Sequence, residues 1–174
     1  DAMDAAEDPP REHGQNAQLM AGGTDLLVKL SRTGRAPRFL VGLRNVAGLD
    51  YVRFDPAKGL SIGALGLLSS VAEHDEVRRR YPALALAAAS TATVQIRNMG
   101  TVAGNLCNAS PSADTATPLL VHGAEVVLQG PGGERVMPLE RFFKGPGQTA
   151  LGGGEVLREI RVPPPSARSG SDYQ

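Results

Sequence analysis

Residues 19–30 read LMAGGTDLLVKL, with Gly22 and Gly23 separating a short apolar run from a segment that carries Leu26, Leu27 and Leu30. The run before the glycines, AQLMA at 17–21, is a strand candidate, and the spacing after them predicts a helix over 24–32 with Thr24 as its N-cap. A Gly-Gly pair at a strand-to-helix junction permits positive φ angles and lets another group approach the main chain. Two readings stay open. The helix start offers unpaired N–H groups and a positive dipole end, which suit a phosphate; or the pair is an ordinary tight turn capped by Thr24. Asp25 opposes a phosphate unless its carboxylate faces outward. The P-loop pattern, with lysine after glycine, is not matched, so nucleoside triphosphate hydrolysis is not supported.

Working outward, RFLVGL (38–43), DYVRF (50–54) and GLSIGA (59–64) are β-rich runs between turn signals. LSSVAEHDEVRRR (68–80) reads as one helix capped by Ser69 or Ser70, and PALALAAASTAT (82–93) as a second opened by Pro82. ADTATPLLVHG (113–123) is a short helix ending at Gly123, which Pro118 bends or frays. A hairpin follows over 124–139, turning at GPGG (130–133), then a short helix at ERFF (140–143) and a last strand in EVLREIRVP (155–163). The expected class is α+β, not alternating βαβ.

The chain's 174 residues suffice for one compact unit or two small lobes sharing a core. Eighteen basic and eighteen acidic residues cancel and do not cluster, which argues against nucleic acid as a partner. Apolar runs such as PALALAAAS fall short of the roughly 20 residues that cross a bilayer, and no leader pattern is read at the start, so a soluble cytoplasmic protein without a membrane span is expected. The single cysteine, Cys107, excludes an internal disulfide and a cysteine-rich metal or iron–sulfur site within this chain. With aromatics at 4% against 21 glycines and 13 prolines, a ligand must be held more by backbone than by stacking. The opening DAMDAAEDPP and the closing PPPSARSGSDYQ read as cut or flexible edges.

The second unusual stretch is IRNMGTVAGNLCNASPSADTATPLL at 96–120, which bunches Asn98, Gly100, Gly104, Asn105, Asn108, Ser110, Ser112 and Asp114 before an apolar helix. So many small polar groups are expected to form a loop outside the core. That loop either supplies donors around a polar ligand, with SPSAD capping the next helix, or is a polar surface loop of the Ω type. The NAS at 108–110 is read as an accidental match to a glycosylation site, and GPGQTA at 145–150 as an accidental dinucleotide fingerprint, because no helix follows it. No catalytic constellation emerges. His13, His74 and His122 lie far apart and read as surface or loop residues, and Cys107 as a small buried filler. A cradle without reactive side chains points to a bound cofactor that performs the chemistry.

AGGTDLL at 21–27, the 96–120 run and GEVLREIRVP at 154–163 together resemble the FAD-binding (medium) subunit of molybdenum hydroxylases, the xanthine dehydrogenase and carbon monoxide dehydrogenase family. The likeness covers roughly residues 17–165. It implies a two-lobed α+β FAD-binding fold of the vanillyl-alcohol-oxidase (PCMH) type, here lacking the C-terminal domain. The implied division is a small N-terminal lobe over 1–55 with a truncated start, a larger lobe over 56–165 and a flexible tail over 166–174.

In the family, the loop matching Ala21, Gly22, Gly23, Thr24 and Asp25 wraps the FAD diphosphate. The loop matching Thr101, Val102, Gly104 and Asn105 makes a second contact with it, with Ser110 in the SPSAD segment nearby. The position of Asp114 hydrogen-bonds the cofactor and that of Leu157 lies near the flavin ring. Ala103 stands where many relatives have glycine, and the cysteine-rich insertion of some relatives is absent. The implied function is electron transfer, from a molybdopterin-binding large subunit through a [2Fe–2S] small subunit to flavin and on to NAD or a quinone. The alternative is a flavin-free scaffold for assembling those subunits. On this reading Gly22→Val abolishes flavin retention and leaves the fold largely intact.

Overall fold

The computed structural model describes residues 17–166 and 169–174. The opening segment through residue 16, with His13, lies outside the described residues.

The glycine bend sits inside a βαβ unit. β1 (Ala17–Met20) and β2 (Phe39–Gly42) pair in parallel, Ala17 opposite Phe39 through Met20 opposite Gly42, and α1 (Leu26–Thr33) is their crossover. Parallel neighbours cannot be joined by a tight turn, so the helix between them is their connection, a single crossover beside an antiparallel sheet. Thr24 is not the cap. Asp25 occupies that position in a helical conformation with no side-chain cap bond, while Gly34, at φ 63°, closes the other end by donating its N–H to Leu30 O at 3.0 Å. None of the residues of α1 is buried.

The remaining strands form a sheet of five in the order β3-β4-β9-β5-β6, from β3 (Val52–Asp55), β4 (Gly59–Gly63), β5 (Glu125–Gly130), β6 (Gly133–Pro138) and β9 (Val156–Val162), with antiparallel pairing throughout. The last strand thus fills the centre. The hairpin β5–β6 turns through Pro131 and Gly132 where it was expected. A smaller pair, β7 (Phe143–Gly145) with β8 (Gln148–Thr149), follows the hairpin.

The expected 68–80 helix is two, α2 (Leu68–Glu73) and α3 (Asp75–Arg80), because His74 is extended at ψ 121°. Neither Ser69 nor Ser70 caps α2: its start is satisfied by the 96–120 stretch, with Leu68 N–H donating to Gly100 O at 3.0 Å. α4 (Pro82–Ser90) opens on its proline as expected. The polar stretch is largely helical, with α5 (Val94–Arg97) and α6 (Val102–Asn108) where a loop was expected, followed by α7 (Ala116–Val121) and, after the hairpin, α8 (Leu139–Phe142). The reason is local. Thr101 Oγ1 accepts from Gly104 N–H at 2.9 Å, capping α6, and Val102, Ala103 and Leu106 form one buried face of it.

One core cluster packs the helices against the sheet through Leu60, Ile62, Tyr81, Leu84, Leu106, Phe142 and Ile160. At about 1.5–3 kcal/mol per fully buried large side chain, it is the main stabilising mass. A second cluster of Leu43, Leu49, Ala64, Leu65 and Val156 has Leu19 and Ala21 packed on it, so the βαβ unit is seated apolar side down beside the sheet.

Candidate functional site

The two glycine-rich stretches meet. A Cβ built on Gly22 would stand 2.1 Å from Met99 O and 2.9 Å from Gly100 Cα, so the first bend lies directly on the backbone of the second. Gly23, at φ 77°, makes the turn. The second stretch is fastened in turn, since Val102 N–H donates to Gly66 O at 3.1 Å and Leu67 and Thr101 form a bridge. This placement corrects the expectation for Gly22→Val: the added side chain meets protein backbone, not ligand space, so the two stretches must shift apart and the fold is destabilised.

Beside that junction lies a cleft of about 350 Å³, walled by Ala21, Thr24, Asp25 and Lys29 on one side and by Gly100, Thr101, Gly104 and Asn105 on the other. A second cleft of about 650 Å³ adjoins it, sharing Gln18, Leu19, Ala21, Gly104 and Cys107 and running on to Leu157 along the 152–156 turn. Among the described residues, the main-chain N–H groups from Ala21 to Leu26 donate no hydrogen bond. A run of successive unpaired N–H groups at a helix start is a concentrated positive edge, and it binds anions.

The other expected site residues are placed as follows. The Asn105 side-chain oxygen accepts from the buried Thr115 hydroxyl at 2.7 Å, tying α6 to the start of α7. Val102 turns its side chain fully into the core. Leu157 is buried in the wall of the second cleft. Ser110 pairs with Ser112 at 3.0 Å and Asp114 accepts from the Tyr173 hydroxyl at 2.8 Å; neither lines the two clefts. Tyr173 and Ser171, which accepts from Ala83 N–H, therefore hold the C-terminal segment against the body. Lys29, Gln18 and the 152–154 glycines were missed by sequence reasoning. Only Lys29 carried a signal, one helical turn beyond Asp25.

Acid–base and nucleophilic groups are poorly supplied. Burial pushes the Cys107 thiol up to about 12, which leaves it inert as a nucleophile. The His122 ring sits edge-on to Tyr81 with centroids 5.2 Å apart, and burial lowers its pKa. Nδ1 of His74 and Nε2 of His122 are buried without a hydrogen-bond partner, so both histidines are more enclosed than expected. No group of His, Cys, Asp and Glu among the described residues could hold a metal. No helix there is long and apolar enough to cross a membrane.

The wall of the second cleft is clamped by charge. Arg135 donates to both oxygens of Glu155 at 2.6 and 2.7 Å, and Gly152 N–H donates to Glu155 Oε2 at 2.6 Å. The Arg135 hydrogen bonds hold the Glu155 carboxyl below its ordinary 4.5. A depressed carboxyl stabilises the fold above its unfolded pKa, and the gain is lost as pH falls through the folded value. Glu155→Gln is therefore expected to cost about 0.5–1 kcal/mol at neutral pH. Melting temperatures of wild type and variant should converge as pH falls through the depressed carboxyl value; a gap that stays constant into acid would show that the carboxylate charge is not the cause.

A junction of two glycine-rich stretches that presents unpaired main-chain donors to a cleft, without reactive side chains, defines a main-chain cradle for an anionic ligand. Its chemistry fits the diphosphate of FAD, whose oxygens need donors and close backbone approach rather than side-chain catalysis. The family described as the FAD binding domain in molybdopterin dehydrogenase matches residues 1–165, and the chain belongs to it. Over 174 residues it is 37% identical to the xanthine dehydrogenase FAD-binding subunit of Escherichia coli O157:H7, covering 99% of this chain and 58% of that one. To the carbon monoxide dehydrogenase medium chain of Hydrogenophaga pseudoflava it is 33% identical over 161 residues, covering 92% of this chain and 56% of the relative. The structure of carbon monoxide dehydrogenase from that organism superposes with a TM-score of 0.89 at 31% identity, covering 97% of this chain and 62% of the other. The chain thus spans a little under two thirds of the proteins it matches.

Proposed function

We propose that this chain is the FAD-binding electron-transfer module of a molybdenum hydroxylase complex. The observation that carries the reading is the seating of Gly22 against Met99 and Gly100, with unpaired N–H groups from Ala21 to Leu26 at the adjoining cleft. The main-chain donors of Ala21 and Thr24 hold the diphosphate, Gly104, whose own N–H is spent on Thr101, leaves room for it, Asn105 lines the same cleft, and Leu157 sits along the path to the flavin ring. Gly22 and Gly23 act by shaping the bend, and Thr101 by capping the helix that carries Gly104. Val102 anchors that helix in the core and Ser110 and Asp114 order the approach to α7. When bound, FAD supplies reversible uptake and release of electrons.

The fold is of the two-lobed vanillyl-alcohol-oxidase (PCMH) type. The small lobe holds β1, α1 and β2, and the chain passes into the sheet of the larger lobe at β3. Its partners are a molybdopterin-binding large subunit and a [2Fe–2S] small subunit, its acceptor NAD or a quinone, and its location the cytoplasm. The medium-chain name of the carbon monoxide dehydrogenase relative supports a complex with a larger and a smaller chain.

The test is direct. Purified chain, or chain refolded with FAD, should carry a flavin absorption band that is released on denaturation. A colourless protein that ignores added FAD would leave the scaffold role in its place.

A further inference from the structure

Resting on that reading, we propose that Lys29 is a cationic contact for the ligand diphosphate and confers preference for dinucleotides over uncharged flavin. Three observations lead to it. Lys29 lines the same cleft as Ala21, Thr24 and Gly104. Among the described residues its ammonium makes no ion pair or hydrogen bond, so its charge is uncommitted. Asp25, one turn earlier at the cap of the same helix, lines that cleft too with its carboxylate side chain.

The charge balance favours a cation. A diphosphate adds two negative charges beside the Asp25 carboxylate, whereas the start of a helix contributes only about half a positive charge. Backbone donors supply directional hydrogen bonds but not the missing charge. Lys29 supplies it from a flexible stem on an exposed helix, and the nearby Arg32 adds to the field at the neighbouring surface of α1.

The experiment measures binding of FAD, ADP and riboflavin to the full chain and to Lys29→Met, which keeps the stem and removes the charge. At about 20 mM salt the variant should bind FAD and ADP about tenfold more weakly, the size of one charge-assisted hydrogen bond. The difference should shrink at about 300 mM salt, where screening shortens the reach of the charge. Riboflavin, which has no phosphate, should bind both proteins equally, and Lys29→Arg should restore most of the FAD affinity. An FAD affinity for Lys29→Met within about twofold of wild type at low salt overturns the assignment. So does an equal loss for riboflavin and FAD, which would mark a structural role. Wild type that takes up neither FAD nor ADP overturns the cofactor reading itself, a failure distinct from the first.

Discussion

Gly22→Val is expected to lower the melting temperature by about 6–12 °C, from a loss of about 3 kcal/mol or more. FAD retention should be lost with it. A side chain at this position would begin 2.1 Å from Met99 O and 2.8 Å from Met99 C, both backbone atoms that cannot rotate away. To admit it, the bend must lift off the 99–100 backbone. That backbone accepts the N–H of Leu68 at the start of α2, so the strain spreads into the helix layer. Thermal melts of wild type and variant, read beside flavin content, decide the matter. An unchanged melting temperature would mean that the two glycine-rich stretches do not pack as described.

The second large effect has the opposite signature. Gly104→Val should weaken FAD binding by about a hundredfold, the loss of roughly two hydrogen bonds to a charged group. Its effect on the melting temperature should be only a few degrees. At Gly104 a Cβ meets Thr101 Oγ1 at 2.8 Å, a hydroxyl that can turn, and no other described atom within 4 Å beyond its own chain neighbours and helix backbone. Gly104 lines both clefts at the point where they join. Extra carbons there cost one cap bond, partly offset by replacing glycine inside a helix, but they occupy the space a ligand would use. Measured FAD affinity close to wild type would exclude a ligand path through this junction. Together the variants separate a glycine needed for packing from one needed for access, which residue type alone does not distinguish.

Much of the architecture was legible because it is local. The hairpin at 130–133 announces itself by its turn residues, the start of α4 by Pro82, and the bend before α1 by its glycine pair. The misreadings have physical causes. His74 breaks a run with uninterrupted helical pattern by turning extended, and the start of α2 is satisfied by Gly100, about 30 residues along the chain, a partner that no window of neighbours can reveal. The stretch at 96–120 looked too polar for a core, yet a helix needs only one apolar face, and Val102, Ala103 and Leu106 provide it. The crossover at α1 was missed because strands of four residues carry little pairing signal.

The order of residues determined the two glycine-rich stretches, the lack of reactive side chains and the family to which the chain belongs, since each depends on residue identity at short spacing. Tertiary structure alone decided that those stretches touch, that β9 enters the middle of the sheet and that Lys29 shares a cleft with Gly104. These are contacts between residues far apart in the chain. They are selected by how apolar faces and backbone hydrogen bonds are satisfied together, not by any neighbour's preference.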